Sequence, residues 1–289
     1  MKTVVLGKDG QLGQELGRSN SFGDVVMLGR KELDLTDLGA IERTLGSQQA
    51  DLIINAAAYT AVDQAETDES SADIVNHQAP RVLAECAASI GAWLIHYSTD
   101  YVFAGDANEP YPEDAETVPK SVYGASKLAG EQAVREVGGQ FLIFRTSWVY
   151  AKHGRNFLNT VYRLAEERGA LRIVNDQFGS PTTTKAITDA TVKVVEQLFL
   201  NGDGGGSKAN LAGIYHMTCG GETNWYEFAQ AILAESNLKN IPVEPIPTSA
   251  YPTPAPRPFY SVLDNRKLAD RFAVRLPHWK RALADCLQQ

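Results

Sequence analysis

Short apolar runs alternate with longer amphipathic stretches through the first half of the chain. Thr3–Gly7 (TVVLG), Val25–Gly29 (VVMLG), Asp51–Ala57 (DLIINAA), Trp93–Thr99 (WLIHYST) and Phe141–Trp148 (FLIFRTSW) are brief, apolar or β-branched, and bounded by turns. That pattern predicts buried strands. Between them lie helix patterns. Thr36 and Asp37 are placed to cap one that runs through Ile41 and Leu45, a longer one covers about residues 72–90, and a third starts at Tyr123 and stops at Gly138–Gly139. Repeated strand–helix units predict an α/β fold, a Rossmann-type doubly wound parallel sheet covered by helices on both faces. Such a sheet binds ligands at the carboxyl ends of its strands.

The second half is less regular. Helices are predicted over Phe157–Arg168 and Lys185–Leu200, a flexible loop over Gly202–Asn210 (GDGGGSKAN), a strand over Gly213–Thr218 and a helix from about Asn224. Ile241–Pro258 holds seven of the thirteen prolines. It must be extended and cannot form central sheet, because proline cannot donate to a ladder. It reads either as a tether or as a rigid segment that closes over a pocket and delivers Arg257. Two short helices finish the chain. The expected division is a dinucleotide-binding domain over residues 1–147, completed by a returning segment at about 175–220. A smaller C-terminal α/β substrate-binding domain takes 148–174 and 221–289.

Composition narrows the function classes. The formal net charge of −8 gives no general attraction to nucleic acid or to membrane phosphate. Cys86, Cys219 and Cys286 are scattered, without a CxxC, and read as reduced thiols. The five histidines are dispersed, so no metal site is expected. The chain opens directly on a strand pattern and has no apolar run near the ~18 residues of a membrane span, so a cytoplasmic location is expected.

The first strand runs into GKDGQLG (Gly7–Gly13), which fits G-x-x-G-x-x-G and opens a helix. Glycines allow a tight turn and close approach of a pyrophosphate to backbone N–H groups at a helix N-terminus. A lone glycine motif is weak, but here strand, spacing and helix agree. The second strand ends in Gly29, Arg30 and Lys31, two cations where an NAD-selective site carries an acid. NADPH is therefore expected as the preferred cofactor, with NADH also accepted. Asp34 fits equally a residue that opens the next helix and an adenine contact.

Ser98-Thr99-Asp100 ends the fourth strand, and Tyr123 and Lys127 share a face of the following helix. An isolated Tyr–Lys pair at that spacing is commonly a surface pair. Beside a strand-end hydroxyl at the ligand edge it makes an acid–base set. The lysine ammonium is expected to lower the tyrosine's proton affinity. Tyr123 can then protonate a carbonyl oxygen as hydride reaches the carbon, while Thr99 or Ser98 orients that oxygen.

GxxGxxG, NAAA (Asn55–Ala58), STDYVF and YxxxK resemble the extended short-chain dehydrogenase/reductases. HYSTDYVFAG, VYGASKLAGE, FRTSWVYA, VNDQFGSPT and YPTPAPRP, in order over nearly the whole chain, are similar to the dTDP-4-dehydrorhamnose reductases within that group. The resemblance implies reduction of the C4 keto group of dTDP-4-dehydro-6-deoxy-L-mannose to dTDP-L-rhamnose. It implies cofactor contacts at Gly10, Gln11 and Leu12, then Asp34, Leu35, Ala58, Tyr59 and Thr60; the glycine motif itself adds Gly7 and Gly13, the strand-end cations add Arg30, and the Tyr–Lys chemistry adds Tyr123 and Lys127 at the nicotinamide end. It implies Thr99, Tyr123 and Lys127 as the catalytic set and Thr99, Asp100 and Trp148 as substrate contacts. Arg257 is implied as a diphosphate contact. Some members of the group resemble metal-linked dimers that use acidic residues after GSPT. Here that segment reads TTKAITDA, without a paired Glu, so either a monomer or a homodimer without magnesium fits.

Other residues read as structural. His96 lies inside a strand pattern, as a core histidine would. Tyr97 is expected to pack. Asp63 and Glu66 are a carboxylate pair of the kind found near helix starts. His153 and Arg155 follow Trp148, and an approach of either to phosphate is the lesser reading. Two rivals remain. One is an epimerase or dehydratase on the same fold, which regenerates its cofactor. The other is a non-catalytic binding partner, like the regulatory subunit of methionine adenosyltransferase, against which intact Thr99, Tyr123 and Lys127 argue.

Overall fold

The computed structural model describes residues 1–199 and 211–288, so the expected loop at Gly202–Asn210 lies outside the described residues. The first half follows the strand–helix alternation. β1 (Lys2–Leu6) leads to α1 (Gln11–Arg18), β2 (Asp24–Leu28) to α2 (Leu38–Gly46), and β3 (Leu52–Asn55) to α3 (Val62–Ala65) and α4 (Glu69–Asp73). α5 (Ala79–Ile90), β4 (Trp93–Thr99), α6 (Val122–Val137) and β5 (Gln140–Thr146) follow. Asp37 caps α2 by accepting from the Ala40 N–H, and Ser121 caps α6 by accepting from the Gly124 N–H.

Two expectations are corrected. The helix expected over 72–90 is interrupted by a π turn at Ile74–Gln78, between α4 and α5. Buried Asn76 lies in that turn; its Oδ1 accepts from the Tyr59 N–H and its Nδ2 donates to the Tyr59 carbonyl and to Ser126 Oγ. The turn thereby ties a cavity loop to α6. The strand expected through Trp148 stops at Thr146, and Trp148 takes a left-handed φ of 48°.

The second half contributes β6 (Val149–Tyr150), α7 (Phe157–Arg168), β7 (Leu171–Val174), β8 (Phe178–Gly179), β9 (Thr182–Thr183), α8 (Thr184–Phe199), β10 (Gly213–His216), β11 (Thr223–Asn224), α9 (Trp225–Ala234), β12 (Val243–Ile246), α10 (Arg266–Phe272) and α11 (Trp279–Gln288). β10 joins the main sheet, whose order is β10-β5-β4-β3-β1-β2 with every pairing parallel. From β1 the chain steps to β2 on one side and then crosses to β3 on the other, so the switch point falls between the ends of β1 and β3. The proline-rich stretch stays out of the central sheet, as expected, but is extended only in part: β12 pairs with β7 in a separate two-stranded sheet, and a 3-10 turn at Thr248–Ala250 then interrupts the extended course. Farther along, the Phe259 N–H bonds the Gly105 carbonyl at 2.9 Å.

Strand alternation divides the core. Val5, Ile54 and Ile95 face Leu16, Ile187, Val194 and Phe272 on one side. Val4, Leu6 and Ile53 face Ile41, Leu83 and Val134 on the other. A third core gathers Tyr150, Leu158, Phe228, Ile232, Trp279 and Leu283 around α7, α9 and α11. Among the described residues, no helix is long and apolar enough to cross a membrane.

Candidate active site

A cleft of about 1180 Å³ runs along the carboxyl ends of β1 to β5. One wall is the turn from β1 into α1. Gly7 has φ 84°, and a Cβ there would lie 2.7 Å from the Ala57 nitrogen; a Cβ on Gly13 would lie 2.0 Å from the Gly7 carbonyl oxygen. Only glycine permits that turn. Gly7, Gly10, Gln11 and Leu12 line the cleft, whereas Gly13 is buried beneath it as a packing residue. No side chain caps α1, so the N–H groups of its first turn face a surface suited to an anion. The arrangement fits a dinucleotide pyrophosphate.

Arg30, Asp34 and Leu35 line the cleft beyond β2. The expectation of two cations without an acid needs correction. Arg30 Nε lies 3.2 Å from Asp34 Oδ2, and Glu32, at the same end of β2, accepts from Lys8 Nζ at 2.5 Å and from the Gly29 N–H at 2.9 Å. Arg30 is nonetheless largely exposed, 79% at its side chain, so it can turn from Asp34 toward a ligand. Ala58, Tyr59 and Thr60 form the next stretch of wall, with Tyr59 held by Asn76 and by Asp68.

Thr99, Asp100, Tyr123, Lys127 and Trp148 all line the same cleft. Thr99 Oγ1 donates to Asp100 Oδ1 at 3.0 Å and accepts from the Tyr101 N–H at 3.2 Å. Burial pushes Asp100 up to about 6, opposed by the nearby Ser261 hydroxyl and by the hydrogen bond from Thr99. Tyr123 departs from the expectation that Lys127 lowers its proton affinity. Burial pushes the phenol up to about 12; Thr99 opposes this and the Asp100 charge adds to it. Its proton is therefore retained at neutral pH. Lys127 is committed elsewhere: its Nζ donates to the Tyr97 carbonyl at 2.6 Å and lies 3.3 Å from His96 Nε2. Burial lowers Lys127 to about 8 against the opposing pull of Glu131.

Trp148 lies over Trp225, ring centroids 3.4 Å apart and planes 6° from parallel. Trp225 Nε1 donates to Gln177 Oε1 at 3.1 Å. His153 and Arg155 also border the cleft, and Gln11 bonds the Arg155 carbonyl and Asn156, joining their loop to the phosphate turn. Arg257 does not line the cleft. Its Nη2 donates to Asp63 Oδ2 at 2.7 Å, while Nη1 is buried without a partner. Glu66 accepts from the Val122 N–H, so both members of the Asp63–Glu66 pair have structural bonds. Tyr97 packs on Phe144 and bonds Thr191. Asn76, Trp225, His96 and the buried Glu131–Arg145 ion pair were not singled out for the site from the sequence; His96, Glu131 and Arg145 fall inside the motifs quoted above, but their partners lie on other elements.

A reductase named dTDP-4-dehydrorhamnose reductase from Burkholderia thailandensis is 46% identical over 296 residues, covering 100% of this chain and 98% of that protein. One of the same name from Escherichia coli K12 is 41% identical over 290 residues, covering 97% of this chain and 95% of its own. The solved structure of a dTDP-4-dehydrorhamnose reductase from Bacillus anthracis, in complex with NADP, matches with a TM-score of 0.91 at 35% identity over 99% of this chain and 98% of that one. A family model described as RmlD substrate binding domain matches residues 1–289, and the chain belongs to that family.

Proposed function

We propose that this chain is an NAD(P)H-dependent oxidoreductase that reduces the C4 keto group of dTDP-4-dehydro-6-deoxy-L-mannose to give dTDP-L-rhamnose. The observation that carries the reading is one cleft lined by the glycine turn of β1 and by Thr99, Tyr123 and Lys127 at the end of β4 and the start of α6. The similarity to reductases of that name over nearly their whole length supports the substrate.

Gly10, Gln11 and Leu12 would hold the pyrophosphate, Asp34 and Leu35 the adenosine end, and Ala58, Tyr59 and Thr60 the stretch toward the nicotinamide. Arg30 would meet a 2′-phosphate, which favours NADPH while leaving NADH usable. The cofactor, when bound, supplies the hydride for the carbonyl carbon. Tyr123 then donates its proton to the developing alkoxide, and the Thr99 hydroxyl orients that oxygen. Lys127, on the same face of α6, would hold the ribose hydroxyls and stabilise the phenolate left behind. Asp100 and Trp148 would position the sugar nucleotide. Arg257 lies outside the cleft and is bonded to Asp63, so a contact with the diphosphate would require its release from that partner. In this reading residues 1–147 and 175–220 form the dinucleotide-binding domain and the remainder the substrate-binding domain.

The test is turnover by the purified chain with NADPH of dTDP-4-dehydro-6-deoxy-L-mannose and, separately, its unepimerised D-isomer. Stoichiometric NADPH consumption and an L-rhamno product are expected with the first. Flat absorbance with product formation would identify an epimerase or dehydratase instead. Inactivity with tight binding to another protein would favour a regulatory subunit.

A further inference from the structure

Behind Lys127 lies a hydrogen-bond chain whose donors and acceptors can be assigned atom by atom. The Ala57 N–H donates to Asn55 Oδ1 at 3.1 Å, which fixes the orientation of that amide. Asn55 Nδ2 consequently faces His96 Nδ1 at 3.0 Å. An amide nitrogen only donates, so Nδ1 is the acceptor, and a neutral imidazole accepting at Nδ1 carries its hydrogen on Nε2. That Nε2–H is directed at Lys127 Nζ, 3.3 Å away. An ammonium has no lone pair to receive it, whereas a neutral amine does. Nζ keeps its own donor for the Tyr97 carbonyl at 2.6 Å. Asn55, His96 and Lys127 are at most 2% exposed.

We propose that His96 is a positioning residue for Lys127: Asn55 locks its ring in the Nε2–H tautomer, and the ring offers a donor where the lysine must accept, holding Lys127 toward the neutral amine. The surroundings are consistent with this. Glu131, one turn on along α6, favours the ammonium, but its carboxylate is gripped by Arg145 of β5 at 2.7 Å. Tyr123, one turn back, and Asp100, off the end of β4, are the neighbouring acids. The Tyr97 phenol is turned away to Thr191, and β3 contributes the uncharged Asn55. Burial holds His96 well below the usual imidazole range, so the ring is neutral even beside an uncharged Lys127, and a charged Lys127 only adds to the effect. Under the proposed reduction, the Lys127 ammonium, its proton affinity lowered, is suited to return a proton to the Tyr123 phenolate, and the neutral amine left behind is the form that the His96 Nε2–H bonds; that consequence, unlike the tautomer, rests on the proposed function.

The decisive measurement is the histidine ¹⁵N NMR spectrum of the full chain. The His96 signal is assigned by its loss in His96→Gln or, if that variant does not fold, by elimination with single Gln substitutions at His77, His153, His216 and His278. A neutral Nε2–H imidazole that does not titrate between about pH 6 and 9 is expected. An Nδ1–H tautomer, or titration in the ordinary range, overturns the proposal whatever the reaction. Asn55→Asp should reverse the tautomer, since a carboxylate only accepts; an unchanged tautomer would count against the lock. In the kinetic arm, His96→Gln presents an amide oxygen to the ammonium and should move the alkaline limb of kcat up by about one pH unit, tenfold in proton concentration. A merely structural role would lower kcat and leave the limb in place. If the wild-type chain does not turn over the keto sugar, the functional reading fails while the tautomer result still decides the proposal.

Discussion

Trp148 lies flat on Trp225, with 3.4 Å between ring centroids, and the backbone of Gly179 closes on the same indole so tightly that a Cβ there would lie 2.4 Å from Trp148 Cε2. Trp148 is therefore a fixed wall of the cleft, and Trp225 is what holds it. Trp225→Ala should raise KM for the sugar nucleotide about tenfold, the scale of a lost aromatic stack with its buried area. The cofactor Kd should stay within about twofold. Steady-state kinetics with fluorescence titration of NADPH checks both.

Tyr123→Phe removes the proton donor and leaves the ring packed against Tyr101. A fall in kcat of about 10²–10⁴-fold is expected, with NADPH affinity little changed. Near-normal turnover would refute the assignment.

Arg30 is an exposed cation at the adenosine end that lines the cleft, paired with Asp34. Arg30→Ala should raise KM for NADPH by about tenfold, because a charge-assisted bond to phosphate is lost, and change KM for NADH by less than about threefold. Equal effects on both cofactors would remove Arg30 from 2′-phosphate recognition.

Asp100 has a folded-state pKa of about 6 against an ordinary 3.8. The folded protein holds a proton there that the unfolded chain has released, so this group's contribution to stability falls as pH rises from about 4 to 6 and stays low above. Asp100→Asn should therefore stabilise the fold at pH 7.5 by on the order of 2 kcal/mol and bring little gain near pH 4. Urea midpoints at the two pH values test the sign. Activity should fall in the same variant, since Asp100 sits on Thr99 in the cleft.

Glu131 and Arg145 are 1% and 3% exposed and share three N–H···O contacts of 2.7 to 3.2 Å. Arg145→Met leaves a buried carboxylate without its partner and should cost about 3–5 kcal/mol. Arg145→Met combined with Glu131→Leu should recover much of that loss, measured by chemical denaturation.

Local pattern alone determined the alternating strands and helices, the glycine turn, the capping Asp37, the exclusion of the proline stretch from the central sheet and the shared helix face of Tyr123 and Lys127. Each depends on residues within one turn or one strand of each other, where spacing decides which side chains share a face. Tertiary structure decided the rest. The π turn at 74–78 exists because Asn76 reaches Tyr59 and Ser126. Arg257 is engaged by Asp63, 194 residues away, and Trp148 by Trp225 of another helix. Tyr123 is raised rather than lowered because burial outweighs its neighbours, and Lys127 turns to Tyr97 and His96 because parallel strands bring β4 beneath α6. Burial and partners across the sheet are properties of the packed chain, and residue spacing carries no record of them.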